Sequence, residues 1–234
     1  MKIGIMQPYL FPYIGYFQLI KSVDKFVVCD DVQYIKQGWI NRNRILINGQ
    51  PKLFVFSLKK GHQALKINER YFGSNFKSEK DKFLKTIKYS YKRAPYYNKV
   101  ISLLLDILNC DIDIDISKYI CNSLKILCGV FNINTKFLIS SQITKDNKLK
   151  CQDKVIDIVK KLDGDVYINS IGGKKLYSKE NFKNNNIDLF FVKNNNIRYK
   201  QYEDEFVPNL SIIDVMMFNS IEKIKGMLNE YILE

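Results

Sequence analysis

The sequence has a single histidine, His62, so it cannot assemble a metal site from several histidines. Its five cysteines, Cys29, Cys110, Cys121, Cys128 and Cys151, are odd in number and include no C-x-x-C pair. This excludes the usual zinc spacings and argues against a disulfide framework. Free thiols buried in apolar runs, in a reducing compartment, are expected instead. No stretch supplies the roughly 20 continuous apolar residues of a membrane span. The opening KIGIM lacks the basic and apolar regions of a secretory leader, so a cytoplasmic location is expected and no membrane span. Proline and glycine are sparse, at 5 and 11 residues, and no Pro/Gly/Ser tract breaks the chain. The remainder, 46% hydrophobic and 26% charged over 234 residues, is ordinary globular composition, and one domain spanning 1–234 is the expectation.

The formal net charge is +13. Such a balance suits an anionic partner, whether nucleic acid, an acidic membrane surface or a phosphorylated small substrate. Lysine far outnumbers arginine, however, and Lys, Asn and Ile recur throughout, as in Asn184 to Asn186, which is the pattern of an AT-rich coding bias. The basic and aromatic run from Lys77 to Lys99 reads as a solvated helix face with tyrosines turned inward, and no nucleic-acid partner is expected.

Residues Lys2 to Met6 read as a buried strand, followed by a proline-punctuated loop, a helix from about Ile14 to Ser22 and a second strand at Phe26 to Cys29. Strand, loop, helix and strand within 30 residues is the unit of a parallel sheet. Asp30 to Gly38 reads as a loop. Ile45 to Ile47 and Leu53 to Ser57 make a hairpin around Asn48-Gly49. Three helices fill the middle, at about Ser78 to Tyr91, Tyr97 to Leu108 and Ile114 to Gly129. Strand character returns at Phe137 to Ser140, and a helix spans Cys151 to Leu162. A second strand-loop-helix unit follows, with a strand at Asp165 to Asn169, a loop at Ser170 to Gly173 and a helix from Lys174. A strand at Ile187 to Val192 precedes helices beginning near Leu210 and Ser220. The pattern predicts an α/β, Rossmann-like fold: a mostly parallel sheet flanked by helices, with a helical segment in the middle.

Two segments hold most of the chemistry. Gln7-Pro8-Tyr9-Leu10-Phe11-Pro12-Tyr13-Ile14-Gly15-Tyr16 sits where the first strand hands over to the first helix, the place where parallel sheets bind ligands. Two prolines preset its backbone, and Gly15 permits close approach. An aromatic loop packed into the core would leave the same pattern. The second segment runs from Asp30 to Arg44 around Trp39, the sole tryptophan. Its Arg42 and Arg44 can grip phosphate, Gln33, Asn41 and Asn43 can read hydroxyls or amides, and Trp39 can stack on a sugar or base. Asp30 and Asp31 can hold a metal or act as a base. A polar exposed loop is the plainer alternative. The Ser170 to Gly173 loop can bind an anion through backbone N–H groups, or simply turn the chain. Ser211-x-x-Asp214 has the form of a capping box.

Together these two segments, QPYLFPYIGYFQLI and DDVQYIKQGWINRNRI, resemble the WbqC-like family of bacterial polysaccharide-biosynthesis proteins. Weaker likenesses in Arg93 to Tyr97, Ser170 to Tyr177 and Phe206 to Asp214 extend the resemblance over nearly the whole chain. It implies a transferase that modifies a nucleotide-linked amino sugar for O-antigen and related glycans, by N-acylation with an amino acid such as glycine. Its partners are then the nucleotide-linked amino sugar and a small acyl or amino-acid donor. P-Y-I-G-Y also resembles the P-x-H-x-G-H element of nucleotidylyltransferases, but Tyr13 and Tyr16 stand at both histidine positions, so ATP as activator is an option and no more. The catalytic candidates are Asp31, His62 and Lys36. The substrate-binding candidates are Gln7, Pro8, Tyr9, Tyr13, Gly15, Tyr16, Gln33, Trp39, Asn41, Arg42, Asn43, Ser170, Gly172, Gly173 and Tyr177, with no metal ligand. The alternatives are a nucleotidyltransferase-like enzyme and a non-enzymatic nucleic-acid-binding or scaffold protein.

Overall fold

A computed structural model describes residues 1–109, 113–203 and 205–234; Cys110 lies outside them. The expected α/β fold is what they form. Strands β1 (Lys2–Met6), β2 (Lys25–Val28), β5 (Lys136–Ile139), β6 (Val166–Ser170) and β7 (Asp188–Asn194) pair in parallel in the order β5-β2-β1-β6-β7. A short strand β8 (Tyr231–Leu233), absent from the sequence reading, closes the β7 edge antiparallel. Its three residues are too few for a legible alternation. Strands β3 (Arg42–Ile47) and β4 (Gln50–Val55) form a separate hairpin.

The main strands are buried on both faces, as crossover helices require. In β1, Ile3 and Ile5 join one cluster with Tyr167, Leu189 and Phe191. Phe26, Val28 and Ile168 point the other way, into the larger cluster. The smaller cluster is roofed by α5 (Cys151–Lys161), through Ile156 and Val159, and by Phe182 of α6 (Lys179–Asn184). The larger is covered by α1 (Ile14–Lys21), the central helices α2 (Phe76–Tyr91), α3 (Tyr97–Leu108) and α4 (Ile116–Val130), and α7 (Ile212–Phe218) and α8 (Ile221–Met227). A chain of rings from Phe54 and Phe56 through Phe83, Phe76 and Phe72 to Tyr119 fastens the hairpin to α2 and α4.

Two boundaries differ from the sequence reading. The hairpin begins at Arg42, three residues before the expected start at Ile45. Arg-Asn-Arg has little strand propensity by itself, but pairing with β4 buries Asn43 and Ile45 on one side and leaves Arg42 and Arg44 on the other. Asn48 and Gly49 both take positive φ, as their two-residue turn demands. The helix expected at Lys174 starts at Lys179 instead, where the Ser178 hydroxyl accepts the Asn181 N–H; residues Ile171–Leu176 make a 3-10 turn. Among the described residues no helix is long and apolar enough to cross a membrane. The four described cysteines are free thiols; Cys121 and Cys128 are buried and Cys29 half-buried, whereas Cys151, expected to be buried, is exposed at the start of α5.

Strands β1 and β2 are adjacent and parallel, so the loops leaving their carboxyl ends face one another. They are also bonded together. Leu10 N–H donates to Ile40 O at 3.0 Å. The buried Asn43 amide donates to Phe11 O at 2.6 Å, and Ser211 Oγ donates to the same carbonyl at 2.7 Å. Phe11 is fully buried with φ 45, a left-handed conformation that is strained for so bulky a residue. The two side chains hold it there. Asn43→Ala therefore removes a buried hydrogen bond and leaves a carbonyl under-satisfied in strained backbone, a loss of about 2 kcal/mol by urea denaturation; wild-type stability would show that Asn43 does not pin the loop.

Candidate active-site cleft

In a sheet ordered β5-β2-β1-β6-β7, successive strands depart in opposite directions from β1, and the switch lies between β1 and β6. Crevices outside the carboxyl ends of strands at such a switch are where open α/β folds bind ligands. A cleft lies there. Two adjoining cavities of about 420 and 410 Å³ share Tyr13, Asn194 and Asn209. The first is walled by Tyr9, Gly15 and Gln18 from the first segment, by Trp39 and Arg44 from the second, and by Ile171 and Gly172 beyond β6. The second continues along Arg198, Tyr199, Phe206 and Pro208.

The residues at the mouth are packed ring against ring at a tilt of 34°. Tyr9 and Trp39 lie with ring centroids 6.0 Å apart, and the Arg44 guanidinium sits 5.5 Å from the Trp39 ring. Arg44 reaches Asn209 O at 3.5 Å and, among the described residues, forms no ion pair. Burial raises the Tyr9 phenol above its ordinary pKa, with Tyr13 adding to the shift and Arg44 opposing it. Burial also raises Tyr13. Both phenols therefore stay protonated and act as donors. Gly15 is required by close approach, since a Cβ there would lie 2.4 Å from the Tyr13 ring. Helix α1 begins at Ile14 without a side-chain cap, and its first residues, Ile14 and Gly15, line the cleft.

The chain belongs to the WbqC-like protein family. The family match covers residues 7–226, which includes both cleft-forming segments and the 194–209 wall. A protein of Mycobacterium tuberculosis named "Uncharacterized protein Rv1507c" is 26% identical over 222 residues, covering 93% of each chain. No solved structure matches.

Of the residues expected in this WbqC-like site, Tyr9, Tyr13, Gly15, Trp39 and Gly172 come together in the cleft. Several others support it from behind. The Tyr16 hydroxyl, fully buried, donates to Gln7 O at 2.7 Å, and Pro8 is buried beside it. Asn41 donates to Phe56 O and accepts from the Tyr34 hydroxyl, so like Asn43 it engages its amide within the chain. Ser170 precedes the 3-10 turn, Gly173 packs against Asn169, and Tyr177 packs on Tyr167 at 5.5 Å, facing away from the cleft. Gln33, Lys36, Arg42 and His62 gather in a different cavity.

Asp31 is in neither. Its carboxylate, 7% exposed, pairs with Lys145 at 2.9 Å and Lys154 at 3.0 Å. Desolvation acts to raise its pKa, but the hydrogen bonds from Lys145, Lys154 and Ser140 outweigh it and hold the group at about 2. So acidic a group is a poor proton acceptor, and here it serves as the anchor of a cationic pair. Asp30 is likewise committed, accepting from Ser141 N–H, Ser141 Oγ and the Asn68 amide.

Gln18, Asn194, Arg198 and Asn209 were not foreseen as walls of the cleft. Asn209 and Asn196 adopt positive φ, the one hint their sequence carries. The Ser211 capping box is half realised: Ser211 accepts from Ile213 N–H, but Asp214 turns inward. Its buried carboxylate accepts from Tyr91, Tyr199 and Gln201, tying the 199–201 segment to α7.

Proposed function

We propose that the protein is a transferase that modifies a nucleotide-linked amino sugar for surface-polysaccharide synthesis, by N-acylation with an amino acid such as glycine. The observation carrying this reading is the Tyr9–Trp39–Arg44 cluster at the switch-point cleft. A planar aromatic face beside an ion-pair-free guanidinium and an uncapped helix start suits a ligand that has a ring and a diphosphate.

The cleft's electrostatics suit acylation. Among the described residues Arg44 and Arg198 are the charges lining it and no carboxylate does, so a sugar amine within it is favoured as the neutral nucleophile. The amine nitrogen attacks the acyl carbonyl carbon. The C–N bond forms, the leaving group departs with its electron pair, and the amine proton passes to water at the open mouth. Tyr9 and Tyr13, kept protonated, are placed to donate to the carbonyl oxygen as it gains charge.

Trp39 is the sole tryptophan, so its emission reports this cleft. The test is a titration with dTDP- and UDP-linked amino sugars at constant salt, followed by product mass with acetyl or glycyl donors, with and without ATP. A cognate sugar nucleotide is expected to change the emission saturably and, at 100 times its Kd, to stabilise the fold by about 2.7 kcal/mol. The product gains one acyl mass, and glycyl and acetyl adducts differ. Silence toward every sugar nucleotide, with RNA binding that collapses as salt rises, would overturn the reading.

A further inference from the structure

A separate cavity, of about 570 Å³, lies between the start of β3 and the loop around His62, and among the described residues no carboxylate lines it. Arg42 and Arg70 both line it, and in each the buried Nε has no hydrogen-bond partner. Neither forms an ion pair among the described residues. The Arg70 guanidinium is stacked 4.9 Å from the Tyr34 ring, which fixes its plane and leaves its edges for a ligand. Tyr34 is itself held by its hydroxyl bond to Asn41 at 2.9 Å. The acids next to the lining residues Arg70 and Ser57 are engaged by backbone: Glu69 accepts from Lys66 N–H and Glu79 from Ser57 N–H. Lys36 adds a further cation on the exposed rim.

A guanidinium whose inner Nε is buried and unbonded, and which has no counterion, is costly unless an anion completes it. We propose that this cavity is a second anion site, in which Arg42 and Arg70 grip a dianionic phosphoryl group of a co-substrate that does not occupy the switch-point cleft. Arg42 and Arg44 stand two residues apart on one face of β3, about 7 Å between Cα atoms by strand geometry. That spacing sets two anionic ligands side by side, as transfer between a donor and an acceptor requires. The anion-binding claim stands whether or not the cleft takes an amino sugar.

Calorimetry with pyrophosphate and with ATP, at fixed ionic strength, tests it. Pyrophosphate is expected to bind here in a step of its own, distinct from any binding beside Arg44 that alters Trp39 emission. Arg42→Gln and Arg70→Gln each weaken that binding at least tenfold, Lys36→Gln weakens it two- to threefold, and Arg44→Gln leaves it within twofold. ATP binding tighter than pyrophosphate identifies a nucleotide as the source; equal affinities identify an isolated phosphoryl group. Wild-type affinity in folded Arg42→Gln and Arg70→Gln overturns the proposal, as does binding lost only in Arg44→Gln. Should the arginine variants fail to fold, Lys36→Gln decides, and unchanged affinity there overturns it too.

Discussion

Arg44→Ala is expected to weaken sugar-nucleotide binding roughly 10- to 150-fold, read from the midpoint of Trp39 quenching. Loss of hydrogen bonds from a guanidinium to a phosphate costs about 1.5–3 kcal/mol, and each 1.4 kcal/mol is a factor of ten. Arg44→Lys should recover only part, because a lysine keeps the charge but neither the fork nor the stack over Trp39. The folded state should hardly notice, since the contacts fixing β3 at this point are made by the Arg44 backbone, which accepts Ser211 N–H at 2.9 Å and donates to Asn43 Oδ1 at 2.8 Å. Arg42→Ala is the control two residues away, facing the other cavity. Equal losses in both variants would mean that the cleft does not discriminate between them, and the Arg44 role would fall.

Asp31→Ala is expected to cost about 3–5 kcal/mol, the range for removing one partner of a buried ion pair. Lys145 and Lys154 are 2% and 15% exposed at their side chains, so the deletion strands two ammonium groups at the end of β2 with no anion between them. The effect has a pH signature. A carboxyl held at about 2 against its ordinary value of 3.8 stabilises the folded state fully above pH 3.8. That contribution, about 2 kcal/mol, is lost as pH falls from 3.8 toward 2. Urea denaturation across this window should therefore fall more steeply for wild type than for Asp31→Asn. Parallel profiles would remove Asp31 from its anchoring role, and a variant of wild-type stability with abolished turnover would restore it as a base.

The apposition of the first two loops was legible because β1 and β2 are read from unbroken apolar runs, and a short strand-helix-strand unit leaves parallel pairing as the natural option. The division of labour inside the second loop was not. Asn41 and Asn43 look like ligand-reading residues in a string of polar letters, yet they bond to Phe56 O and Phe11 O, because a crossing of two irregular segments leaves backbone carbonyls that need donors. Arg42 and Arg44 look equivalent until β3 exists to set them along one face at different cavities. Asp31 reads as a base at a strand end, but its partners Lys145 and Lys154 lie more than a hundred residues on, among many lysines that sequence cannot rank. The far wall, Asn194 to Asn209, joins the cleft only through the pairing of β6 with β7.

The hold on Phe11 also sets the order in which this protein is built. Asn43 is within reach soon after the first loop is made, but the second grip comes from Ser211, 200 residues later. Contacts of such separation form late, since the intervening chain must first be confined. On a ribosome, the first loop would wait with half its support while the sheet and helices gather behind it. The Arg44 carbonyl and the Pro12 carbonyl wait for the same stretch, receiving Ser211 N–H and Ile212 N–H. The first loop, made well before α7, thus reaches its working shape late, and a nascent chain carries an unfinished cleft until α7 arrives.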